Sequence, residues 1–219
     1  MKLCNRACSV VLGVLLAVTI VLFVAQTAQA NMITNGDFES GNTGFNSDYI
    51  YKAPNTGSLS GGLYSICDDP SDAHTYWFPI GDHTGSGLMM VANGATTSGK
   101  HVWKQQVTLT AGYTYCFSAW ATGVFDQYPA TLDFQVDGTS IGTLGLSTTV
   151  PDWQEFSEEF TADTSGPVVL SIYDPLTMHD GNDFALDDLS LTVTGVPEPS
   201  TLVVLLAGIV SLILPLRRR

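Results

Sequence analysis

The chain has 219 residues, 21 of them Asp or Glu against 8 Lys or Arg, for a formal net charge of −13. Five of the eight basic residues stand at the ends (Lys2, Arg6, Arg217, Arg218, Arg219), so residues 31–194 keep Lys52, Lys100 and Lys104 against twenty acids, a net of 3 − 20 = −17. Such a surface repels DNA, RNA and anionic lipid and is solvated or neutralised by cations, which excludes nucleic-acid binding.

The first thirty residues hold no acid. Lys2 and Arg6 form a positive n-region, an apolar run follows over residues 7–25, and Ala28-Gln29-Ala30 fits a small-x-small cleavage site. This predicts a signal helix over residues 1–30, cut before Asn31; the apolar run is also long enough for an uncleaved anchor. Cys4 and Cys8 leave with the signal, and Cys67 and Cys116 remain. In an oxidising compartment these two form either one disulfide or two separate small buried side chains.

Residues 31–194 hold no helical period or internal repeat and read as one all-β domain of short runs between turn residues. Residues 39–80, rich in Gly, Asn, Ser and Asp, are long for a loop; they either hide strands or carry the surface particular to this protein. Strands are predicted at 63–66, 88–92 and 102–109. Residues 113–122 are apolar on both faces (Tyr115, Phe117 and Ala119 against Cys116 and Trp120), as a central strand with Trp120 in the core should be. Over residues 130–146, Leu132, Phe134 and Val136 alternate with polar residues, Asp137-Gly138 turns, and Ile141 and Leu144 start the return of a hairpin. Further strands follow at 153–161, 168–173 and 184–193. Glu158 shares a face with Phe156 and Phe160, which predicts a bulge, a rim position or a functional carboxylate being the other readings.

After Gly195-Val196-Pro197-Glu198-Pro199-Ser200, residues 201–216 carry no charge, and Arg217, Arg218 and Arg219 close the chain. Sixteen residues of helix at ~1.5 Å each span about 24 Å, short of the ~30 Å hydrocarbon core. The terminal arginines mark the cytoplasmic side. Pro-Glu-Pro, hydrophobic helix and basic cluster together resemble the PEP-CTERM sorting tail of Gram-negative envelope and biofilm proteins. The resemblance covers residues 195–219. It implies an exosortase-type protease that recognises Pro197, Glu198 and Pro199 and removes the tail, a transient stay in the inner membrane, and a final place in the cell envelope, on the outer surface or in the extracellular matrix.

A second resemblance spans the domain. Asn35-Gly36-Asp37-Phe38-Glu39-Ser40, Gly112-Tyr113-Thr114-Tyr115-Cys116-Phe117-Ser118-Ala119-Trp120-Ala121, Trp153-Gln154-Glu155-Phe156 and Phe184-Ala185-Leu186-Asp187-Asp188-Leu189-Ser190-Leu191 are similar to segments of carbohydrate-binding modules with the galactose-binding-like fold. This implies a single jelly-roll-like antiparallel β-sandwich with a structural calcium. Carried over, Glu39 gives a side-chain oxygen, Asp37 a backbone carbonyl and Asp187 a carboxylate, with Asp82 near the third contributing segment. Sugars stack on exposed aromatic rings, and Tyr51, Trp77, Trp103 and Tyr128 are the candidates for that contact, with Tyr49 also available.

Enzyme signatures are weak. No nucleophile elbow is expected, no phosphate-cradling Gly-x-x-x-x-Gly-Lys-Ser/Thr occurs, and His74, His83, His101 and His179 lack the close spacing of a local zinc site. Twenty acids always contain some pair spaced for glycoside hydrolysis, so such a pair decides nothing. The expectation is a non-catalytic module that binds or is embedded in extracellular polysaccharide. A purely structural matrix or adhesion protein comes next, and a glycan-acting hydrolase third.

Overall fold

The computed structural model describes residues 30–178 and 180–197. The predicted signal helix lies outside the described residues, as does the sorting tail beyond Pro197, with Glu198, Pro199, Arg217, Arg218 and Arg219. No helix among the described residues is long and apolar enough to cross a membrane.

The described residues form ten strands: β1 (Ile50–Tyr51), β2 (Leu63–Cys67), β3 (Met89–Asn93), β4 (His101–Leu109), β5 (Thr114–Gly123), β6 (Thr131–Val136), β7 (Thr139–Gly145), β8 (Gln154–Thr161), β9 (Gly166–Tyr173) and β10 (Asp183–Gly195). A six-stranded sheet in the order β1-β2-β3-β10-β5-β8 faces a four-stranded sheet in the order β4-β9-β6-β7. From β3 onward every connection except the β6–β7 hairpin changes sheet, which is the jelly-roll pattern. Pairing is antiparallel throughout except for β1, whose two residues run parallel to β2. The hairpin turn is the predicted one: Asp137 and Gly138 both take positive φ (47° and 76°), as a two-residue turn between twisted strands requires.

Alternation sends one face of each strand into the space between the sheets. Phe117, Phe156, Phe184, Leu186 and Leu191 from the large sheet meet Trp103, Phe134, Leu132, Leu170 and Ile172 from the small one, all of them buried. Phe134 and Phe156, on opposite sheets, stack at 3.7 Å and 3°, and Phe117 meets Phe134 edge-on at 5.6 Å.

The irregular stretch hides β1, β2 and a short 3-10 turn (Pro70–Asp72), and it covers the outer face of the large sheet. Leu59, Ala73, Trp77 and Ile80 pack there against Cys67, Met89, Val91 and Ala185, forming a second, smaller core.

Five expectations are corrected. Trp103 is fully buried between the sheets: a bulge between His101 and Trp103 turns both Val102 and Trp103 inward, so Trp103 cannot stack on a ligand. Trp120, in contrast, lies on the outer face, stacked on His83 with ring centroids 3.9 Å apart. Cys67 and Cys116 are free thiols. They lie on β2 and β5, which are separated by β3 and β10, three strand spacings of ~4.8 Å, far beyond disulfide reach. Glu158 sits in unbroken register with Phe117, without a bulge, at the rim beside Gly142. Finally, Gly138-Thr139-Ser140-Ile141-Gly142 does have nucleophile-elbow spacing, but it forms a hairpin turn and strand, and the Ser140 hydroxyl donates to Asp133 Oδ1.

Candidate functional site

The outer face of the large sheet carries two groupings of polar and aromatic residues. The first is a cleft of about 660 Å³ between four chain segments. Ser58, Ser60, Tyr76 and Trp77 line it from the covering stretch, Phe125, Gln127 and Tyr128 from the loop after β5, Asp180 and Gly181 from the loop before β10, and Asn93 and Asp183 from the sheet.

Two aromatic rings in the cleft are open to solvent, Tyr76 at 77% and Tyr128 at 55%. Tyr128 holds a left-handed backbone (φ 50°), which costs a bulky residue free energy unless its surroundings fix it. Here Asn182 N donates to Tyr128 O at 2.7 Å, and Gly181 lies so close that a Cβ on it would stand 2.5 Å from Gln127 O and 2.8 Å from Tyr128 Cβ. Gly181 and Asn182 also take positive φ (79° and 66°), so a tight, strained loop presents the Tyr128 ring.

Trp77 is buried beneath this surface, its Nε1 donating to Asp183 Oδ2 at 3.0 Å and its ring beside His74 at 5.2 Å. Burial pushes Asp183 up to about 7 against the hydrogen bond from Trp77, and it lowers the His74 imidazole, so both groups are biased toward neutral forms. Asp183 Oδ1 and Asn93 Oδ1 have no hydrogen-bond partner. These residues are directly paired across β10 and β3, on the same face.

The second grouping holds the predicted calcium residues. Phe38, buried at φ 55°, turns the chain so that Glu39 Oε1 accepts from Leu88 N at 2.6 Å. A Cβ on Gly87 would stand 2.2 Å from Glu39 Oε1 and 2.5 Å from Asp82 Oδ2, so these oxygens come together over a glycine that leaves them room. Asp187 is buried, with Oδ2 accepting from His83 N at 3.1 Å and Oδ1 from Asp188 N at 2.8 Å. Burial first, then the nearby charges of Asp188 and Asp82, push Asp187 up to about 7. A bulge after Asp187, with Asp188 at φ 47°, lets His83 Nδ1 meet Asp188 Oδ2 at 2.8 Å.

An oxygen-only donor set of Glu39, Asp82 and Asp187 suits a hard cation, and the buried Asp82 Oδ1 has no partner. Among the described residues no three acidic, His or Cys side chains close on one point as a metal group. The Asp37 side chain is exposed, and its Oδ1 accepts from Glu39 N at 3.4 Å.

The remaining predicted contacts lie elsewhere. Tyr51 is at the sheet edge with its ring 5.5 Å from Tyr64, outside the cleft. Tyr49 is buried, and its hydroxyl accepts from Ala95 N at 3.0 Å. Of the four predicted aromatic contacts, Trp77 and Tyr128 line the cleft. The sequence reading missed Tyr76, Asn93 and Asp183. Tyr76 was within reach of it, being one of three consecutive aromatics, Tyr76-Trp77-Phe78, that cannot all be buried on one side.

β10 starts at the cleft with Asp183 and runs thirteen residues to Gly195, at ~3.4 Å each about 40 Å away. Pro197 then packs beside Gly112, so the chain leaves the sandwich at the end away from the cleft.

No family model and no curated protein sequence matches this chain. Its fold is similar to that of the CBM22-1 xylan-binding domain of Paenibacillus barcinonensis Xyn10C, with TM-score 0.53 and 13% identity over 79% of this chain and 100% of that one. It is also similar to the Stig cyclase Fisc from Fischerella sp. TAU, with TM-score 0.55 and 13% identity over 78% of this chain and 100% of that one. A match to the C-terminal domain of the sugar-binding protein EclA is 27% identical but covers 42% of this chain and 66% of that one at TM-score 0.38, and carries no weight. The likeness is one of fold. Because that fold serves both a xylan binder and a cyclase, function has to be argued from the site.

Proposed function

We propose that the protein is an exported surface or matrix protein whose β-sandwich binds extracellular polysaccharide in the Tyr76–Tyr128 cleft. The observation that carries this reading is Tyr128, a half-exposed ring held in a strained backbone conformation by the tightly packed 180–182 loop. Strain of this kind persists where a side chain must be presented in a fixed direction, and a ring so presented can stack on the C–H face of a sugar. Tyr76 supplies a second ring, while Ser58, Ser60 and Gln127 supply hydrogen-bonding groups along the walls.

The reading is of a binding module, not an enzyme. Glycoside hydrolysis needs two carboxyls flanking the bond to be cut. Asp183 has Oδ2 engaged by Trp77 and Oδ1 buried beneath the cleft surface.

In this reading residues 1–30 support export with cleavage before Asn31, and the Pro197-Glu198-Pro199 motif with the apolar run after it supports removal of the tail by an exosortase. With β10 about 40 Å long, a chain held at its C-terminal end would present the cleft outward. In this reading calcium is held by Glu39, Asp82 and Asp187, with the Asp37 carbonyl. It supplies charge neutralisation that ties the opening of the domain to β10, and it takes no part in ligand chemistry.

The test is a glycan array probed with the purified protein and its Tyr128→Ala and Tyr76→Ala variants. Binding lost in both variants, with melting unchanged, supports the reading. Absence of any glycan binding, together with calcium-dependent self-association, would replace it with the structural matrix protein.

A further inference from the structure

The charge of the cleft and of the domain around it narrows the ligand beyond "polysaccharide". Among the described residues that line the cleft there is no Lys or Arg; their ionisable groups are Asp180, Asp183, His74 and the tyrosines. Burial disfavours the His74 cation. Lys52, whose ammonium donates to Ser58 O at 3.0 Å, approaches the wall at Ser58 and is engaged with backbone there. Lys104 is paired with Asp48 at 2.6 Å, away from the cleft. Lys100, which precedes β4, completes the set of three Lys or Arg between residues 31 and 194.

A glycan carrying uronate, sulfate or phosphate groups would therefore meet no Lys or Arg among the described residues that line the cleft, with the Lys52 ammonium only at its Ser58 edge, on a domain of net charge −17. Placing an unpaired anion near like charges, partly shielded from water, is unfavourable on both counts. Hydroxyl-bearing sugars meet no such penalty. Ser58, Ser60 and Gln127 can exchange hydrogen bonds with them, and the Tyr76 and Tyr128 rings can cover their apolar faces.

We infer that the cleft selects an uncharged, hydroxyl-rich glycan and rejects acidic polysaccharide. This rests on the proposed polysaccharide-binding function and specifies its ligand class. In an extracellular matrix it would separate this protein from components built to hold acidic exopolymers through cations.

The test compares each polymer with and without carboxylate charge. Galactomannan, glucomannan and mixed-linkage glucan are each used native and after oxidation of the primary hydroxyl to the carboxylate, and retention of the purified protein is read by affinity electrophoresis and titration calorimetry. The inference expects at least one native polymer to be retained and its oxidised form to bind at least tenfold more weakly. It also expects part of that gap to close at high salt, where exposed charges are screened. An oxidised form bound as tightly as its parent, or more tightly, overturns the charge selection and leaves the polysaccharide reading standing. If no polymer in either form is retained, and a wider neutral glycan panel is also negative, both fall together.

Discussion

The two faces of the large sheet are made from the same strands, yet they are chemically different. Toward the small sheet, β3, β5 and β10 present Met90, Ala92, Phe117, Ala119, Phe184 and Leu186, and their partners are equally apolar. On the outer side the alternate residues of those strands include Asn93, Trp120, Thr122, Asp183 and Asp187. Buried side-chain atoms without partners among the described residues mostly follow this division: Ser65 Oγ, Asp82 Oδ1, Asn93 Oδ1 and Asp183 Oδ1 belong to the outer side, Asp174 Oδ2 and Asn182 Oδ1 lie beyond the ends of β9 and β10, and Trp103 Nε1 is the exception on the inner face. A closed apolar interface stabilises the fold. A face roofed by a long irregular stretch can keep unsatisfied polar groups, and such groups are costly unless a ligand, ion or proton serves them.

Cutting into the inner face should produce the largest effect. Phe134→Ala removes a ring stacked on Phe156 and edge-on to Phe117, and should cost about 3–5 kcal/mol in urea denaturation. Tyr128→Ala, on the outer side, should change stability by no more than ~0.5 kcal/mol. Equal losses in the two variants would erase the distinction between the faces.

The polar groups on the outer side and at the strand ends should make stability depend on pH. Burial raises Asp183 and Asp174 from 3.8 to about 7, so the folded state holds each proton more tightly than the unfolded chain. Their contribution is present in full below about pH 4, is lost as pH rises through 7, and stays lost above it. Denaturation midpoints should fall between those limits, by on the order of a few kcal/mol in free energy, and Asp183→Asn should flatten part of that slope. A stability that rises with pH across the window would mean that cations, not protons, serve these carboxyls.

How far the sequence revealed each face follows from the same contrast. The inner face imposes a period of two, so most strands could be located, and Asp137-Gly138 fixed the hairpin. Trp103 was misjudged because the bulge after His101 breaks that period, and bulges leave no mark in composition. The cleft was harder to see. Its residues come from positions as far apart as Ser58 and Asp183, and Tyr76 and Tyr128 come to line one cleft only once the covering stretch has folded over the sheet. Glu39 and Asp187 could be read, through a resemblance, because they lie in short motifs at the two ends of the domain, whereas Asp82 lies between them in the chain, near but not in such a motif.

Calcium would separate the outer face into two parts. If Glu39, Asp82 and Asp187 hold the ion, chelation should lower Tm by roughly 5–10 °C for a site held near hundredfold saturation, and Glu39→Ala should remove the sensitivity. Glycan retention by the folded protein should survive chelation, since the cleft shares none of these residues. Loss of retention at a temperature where the chelated protein is still folded would join the two groupings into one site.

The finest division lies within the cleft, between the Tyr128 ring and the loop that aims it. Gly181→Ala puts a Cβ where Gln127 O and Tyr128 Cβ already stand, at a φ of 79° that L side chains rarely adopt. Gly181 is itself buried, so the contact between its loop and the loop after β5 must open, at a cost of about 1–2 kcal/mol, while the packing between the two sheets is untouched and the sandwich should stay folded. The ring is still present in this variant but no longer held in place. Retention on a native glycan should weaken severalfold in Gly181→Ala and vanish in Tyr128→Ala. If Gly181→Ala binds as the parent does while Tyr128→Ala does not, the ring matters and its strained backbone does not. The left-handed Tyr128 would then be a consequence of how the 180–182 loop packs rather than a device for presenting the ring.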